Sequence, residues 1–99
     1  MSDVPEIVDN EATHRFEVTI DGHRADLVYE RDADHLVLVH TGVPDELEGR
    51  GVGGALVTAA IDDAVQRDLT VVPNCDFAGG WLERHPEVAD RARIEWSPR

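Results

Sequence analysis

A chain of 99 residues supports one hydrophobic core, and with 41% apolar residues it reads as globular rather than disordered. Its single cysteine, Cys75, excludes an intrachain disulfide, and no apolar run approaches the roughly 20 residues of a membrane span. The net charge of −12, with nine arginines and no lysine, repels phosphate backbones and argues against a nucleic-acid partner. Met1–Glu6 lacks the basic flank and apolar stretch of a signal peptide, so a cytoplasmic protein without a membrane partner is expected.

Residues 1–12 are polar, acidic and unpatterned, and read as a flexible lead-in to one domain over 13–99. Strict alternation begins at Arg15: Phe16, Val18 and Ile20 share one face, and Ala25, Leu27 and Tyr29 do the same after the turn pair Asp21-Gly22. These runs predict a β-hairpin with one buried face. Arg31–Asp34 supplies a second turn into a third strand, His35–Thr41, whose continuous apolar run predicts burial on both faces. Gly42–Glu48 is a loop. Beyond Gly51 a helical period takes over, with Val52, Ala55, Leu56, Ala59, Ala60 and Ala64 at three- and four-residue spacing. Leu69–Pro73 reads as a short strand, so strand, helix and strand form a crossover with the two strands parallel. Phe77–His85 is a short helix stopped by Pro86, and Arg91–Trp96 reads as a final strand.

The segment Glu48-Gly-Arg-Gly-Val-Gly-Gly54 carries the chemistry. Glycine inside a helix costs about 1 kcal/mol relative to alanine, so the cluster needs a cause. One is anion binding: a backbone without Cβ atoms can wrap a phosphate, the free N–H groups at a helix start point the same way, and Arg50 can add a guanidinium. The other is clearance for tight packing. Among anion motifs, the Walker pattern is absent because no Gly-Lys-Ser/Thr follows. Gly49, Gly51 and Gly54 fit G-x-G-x-x-G formally, but that fingerprint belongs directly after the first strand of a parallel sheet, not behind an antiparallel meander and a seven-residue loop. The diphosphate of coenzyme A suits the order of elements.

The ordered set His40-Thr41, Val43-Pro44, the glycine-rich turn, Pro73-Asn74-Cys75 and His85-Pro86 resembles the small stand-alone domains of the GCN5-related N-acetyltransferase family, over about Phe16 to Pro86. The resemblance implies an α+β fold in which an antiparallel meander precedes a βαβ crossover, with a splayed mixed sheet and a short C-terminal helix. It implies acetyl-CoA as cosubstrate and an amine as acetyl acceptor, with a non-catalytic coenzyme A-binding module as the alternative. The pantetheine arm would pair with the backbone of Val39, Thr41, Gly42 and Val43, and the diphosphate would rest on Gly49, Arg50, Gly51, Val52, Gly53 and Gly54. Gly51 and Gly53 match the family's Q/R-x-x-G-x-G/A pattern, but its leading residue is Glu48 here. Trp81 stands where many members have a tyrosine acid. His40, expected to face the cleft, is a candidate base, and Cys75, expected across the split from it, is a candidate proton donor or acetyl acceptor. His40, Cys75 and His85 show no recognised zinc spacing, and no metal is expected. The oligomeric state stays open between monomer and weak dimer.

Overall fold

The computed structural model describes residues 4–96. The alternating runs form β2 (Arg15–Ile20) and β3 (His23–Arg31), paired antiparallel from Ile20↔His23 to Arg15↔Val28. Asp21 and Gly22 both take positive φ, 52° and 79°, as a two-residue hairpin turn that matches the twist of its strands requires. The expected core face is buried throughout: Phe16, Val18 and Ile20 on β2, and Ala25, Leu27 and Tyr29 on β3. β4 (His35–Gly42) pairs antiparallel with β3 and parallel with β5 (Thr70–Pro73), so the sheet is mixed, as expected.

Where the lead-in was expected, Val8–Asn10 forms an edge strand, β1, antiparallel to β2, with Val8 opposite Glu17. Long-range polar contacts hold it. Tyr29 donates its hydroxyl proton to Asp9, and the Arg31 guanidinium bonds Asp9 and Asp63, each at 2.9 Å. Asp63 belongs to α1 (Val52–Arg67), so Arg31 ties the sheet edge to the long helix.

α1 packs on the sheet through Val52, Leu56, Val57, Ala60, Ile61 and Ala64. Val57 and Ile61 thus join the predicted stripe, while Ala55 and Ala59 lie half-buried at its margin. α2 (Asp76–Arg84) leans on α1, β4 and β5. His35 onward was expected to be buried on both faces, and the structure corrects this. The helices cover one face only: Leu36 and Leu38 are fully buried, whereas Val37 is half-buried and Val39 is 43% exposed. An apolar run here reflects β propensity as well as burial.

Pro86 ends α2 and opens a further turn, α3 (Pro86–Ala89), since a missing N–H costs nothing at a helix start. The expected final strand is reduced to one bridge, Ile94 beside Val71, in which Val71 donates to Arg93 and Glu95 donates to Val71.

Candidate functional site

Gly49 and Gly51 take φ of 79° and 76°, turning the chain into α1 through left-handed conformations that a side chain resists. No side chain caps the helix, and its first internal bond runs from Ala55 to the carbonyl of Gly51. Among the described residues, the amides of Gly49, Gly51, Val52, Gly53 and Gly54 therefore meet no acceptor. The five residues that bear these amides, at the positive end of a 16-residue helix, line one depression of about 410 Å³. Thr41, Leu47, Glu48, Phe77 and Trp81 help to line it.

The two explanations of the glycines divide between them. Gly49 and Gly51 are conformational. Gly53 and Gly54 are steric: a Cβ on Gly53 would stand 2.5 Å from Phe77 Cζ, and one on Gly54 2.6 Å from Trp81 Nε1. Phe77 and Trp81, four residues apart on one face of α2, lie over the bare backbone of α1. That i, i+4 aromatic pair facing a Gly-Gly step was visible in the sequence as a packing signal, but its place in the cleft was not.

The Arg50 side chain lies apart from the glycines it was expected to join. Its guanidinium reaches Asp21 at 3.2 Å in the β2–β3 hairpin and does not line the depression. No arginine or histidine lines it, while Glu48 does. An anion there would meet amide dipoles and one carboxylate.

The sheet opens beside this cradle. β4 and β5 pair from His35↔Thr70 to Leu38↔Pro73, and Cys75 donates its N–H to Leu38 at 2.9 Å. β5 stops at Pro73, while β4 runs on to Gly42. A bulge in the β3–β4 ladder falls at the same level: Tyr29 opposes Leu38, but Val28 opposes His40, leaving Val39 as the extra residue. The bulge resets which side chains face the helices. Thr41 now opposes Leu27 on the core side, and His40 opposes Val28 on the open side.

Consequently Cys75 meets Thr41, not His40. Thr41 Oγ1 lies 3.2 Å from Cys75 Sγ, and Cys75 is only 7% exposed. His40 is exposed, with Nε2 near Gly42 and the Asp26 carboxylate nearby. Both His40 and Cys75 border a second depression of about 400 Å³, with Val39, Asn74 and Asp76. Val43 lines the first depression instead. His85 sits elsewhere: its Nδ1 bonds the Trp81 carbonyl at 2.8 Å and its ring stacks on the Trp81 indole at 3.9 Å. Among the described residues, no three His, Cys, Asp or Glu side chains converge on a point where a metal could bind.

The chain's one tyrosine is also placed away from both depressions. Tyr29 is buried beneath Arg31, whose guanidinium carbon stands 4.5 Å from the ring centre. Burial, and then the Asp9 carboxylate, push its hydroxyl up to about 12. It holds the fold together.

Residues 15–91 match the family of GCN5-related N-acetyltransferases. The chain belongs to that family. Protein NATD1 of Mus musculus is 36% identical over 75 residues, which are 73% of this chain and 68% of that protein. Protein NATD1 of Homo sapiens shows the same identity, over 73% of this chain and 66% of its own length. A solution NMR structure of a GCN5-like protein from Staphylococcus aureus superposes with a TM-score of 0.71 at 30% identity, covering 100% of this chain and 95% of that one. An acetyltransferase-like domain is thus established in sequence and in fold. Among the described residues, no helix is long and apolar enough to cross a membrane.

Proposed function

We propose that this chain binds acetyl-CoA and transfers its acetyl group to an amine. The observation that supports this most is the set of unpaired amides at Gly49 and Gly51–Gly54, beside the point where β4 outruns β5. Amides without acceptors are costly unless an anion or water meets them, and a diphosphate fits their number and charge. The exposed edge of Val39–Gly42 then offers backbone groups to the amide-bearing pantetheine arm.

The cosubstrate would supply an activated thioester. An amine attacks its carbonyl carbon, a C–N bond forms and the C–S bond breaks. The amine gives up a proton, and the departing thiolate gains one. In this reading Cys75, held by Thr41 at the mouth of the split, would give that proton, and His40, on the exposed rim, would take the other. A lone, reduced cysteine in this position suits the cytoplasm.

A second reading is a coenzyme A-binding module without turnover. It is favoured by the burial of Tyr29 away from the cleft and by Glu48 beside the amides. Thermal shift with acetyl-CoA, coenzyme A and NADH, followed by thiol release over a panel of amines, separates these readings. Stabilisation by both coenzyme A forms, with thiol release lost in Cys75→Ala, supports the enzyme. Stabilisation without release from any amine supports the module. A shift with NADH alone overturns both.

A further inference from the structure

The amide cradle and the depression at the mouth of the β4–β5 split share two lining residues, Thr41 and Phe77. The two cavities, of about 410 and 400 Å³, are neighbours separated at that waist. Thr41 cannot move aside easily, because it sits in the β3–β4 ladder opposite Leu27 and is bonded to Cys75. Phe77 is different. It is the second residue of α2, it is 41% exposed, and the tip of its ring rests on Gly53, where there is no side chain to interlock with. A half-exposed phenylalanine changes rotamer without disturbing the core.

We propose that Phe77 is the gate of the cleft, a positioning residue that sets which ligands can reach from the amide cradle to Cys75. The inference rests on the proposed function, in which a diphosphate occupies the cradle and its attached arm carries the thioester to the second cavity. Such an arm must pass between Thr41 and the Phe77 ring. Ring rotation toward solvent opens the passage, and the ring then closes over the arm. The glycine at position 53 allows both states, since a Cβ there would collide with the closed ring.

The test compares a ligand that has the arm, coenzyme A, with one that has only the diphosphate, ADP, on the full chain. Association kinetics of coenzyme A are followed by indole fluorescence, and ADP is titrated by NMR. Phe77→Trp enlarges the gate and is expected to weaken coenzyme A binding at least about tenfold more than it weakens ADP binding. Phe77→Ala removes the gate and is expected to speed coenzyme A association at least about threefold, a larger factor than any change in ADP affinity. Coenzyme A association at the wild-type rate in both variants overturns the gate. So does an equal loss for both ligands in folded protein, because a general packing defect would cause that. If circular dichroism shows that Phe77→Trp is unfolded, the Phe77→Ala association rate decides. Failure of the wild-type chain to bind either ligand defeats the underlying function instead, and the gate with it.

Discussion

Replacing Arg31 by methionine removes a charge that is only 15% exposed while keeping the stem's apolar volume. Its partners stay behind: Asp63 at 11% exposure and Asp9 at 24%, both within 2.9 Å of the lost guanidinium. Burial opposes the Arg31 charge, but hydrogen bonds from Asp9 and Asp63 outweigh it and hold the pKa above the ordinary arginine range. Breaking a buried ion pair on one side typically costs about 3–5 kcal/mol. Arg67, at 2.7 Å from Asp63 and 3.9 Å from Asp9, still compensates in part, which argues for the lower end, near 3 kcal/mol. For a domain of this size that corresponds to a fall in Tm of roughly 12–24 °C. Urea and thermal unfolding should show it, and adding Asp63→Asn to Arg31→Met should recover at least about 1 kcal/mol by removing the stranded carboxylate. A loss below about 1 kcal/mol for Arg31→Met would refute the reasoning, since the network would then be behaving as solvated surface pairs do.

Tyr29 gives the protein an alkaline limit. Its pKa rises from 10 to about 12 on folding, so its contribution is complete below pH 10 and is lost as pH climbs through 12. The unfolding free energy should therefore drop between those values, by an amount of the order of 2–3 kcal/mol, and Tyr29→Phe should flatten that slope. Glu48→Gln should tighten coenzyme A binding roughly three- to tenfold at low ionic strength, with the gain fading in 1 M salt; calorimetry at two salt concentrations checks this. Gly54→Ala should destabilise by about 1 kcal/mol, because overpacking against Trp81 Nε1 exceeds the gain in helix propensity, and should shift the indole emission. A stabilised variant would mean that the indole yields freely.

Local rules made much of this protein legible. The hairpin at Asp21-Gly22, the buried faces of β2 and β3, the crossover through α1 and the glycine turn all follow from period, turn chemistry and backbone sterics over a few residues. The family resemblance came from the same short segments. The side-chain placements around the cleft did not, because each depends on residues far apart in the chain. One bulged residue, Val39, turns His40 to the open face and brings Thr41 to Cys75. Asp21, 29 residues away, draws Arg50 from the amides. Edge strand β1 has almost no pattern of its own and owes its place to Tyr29, Arg31 and Asp63. A sequence sets local conformation through short-range sterics and hydrogen bonding. Which charged or polar groups then meet is settled by packing, where a shift of one residue in register reverses the face a side chain presents.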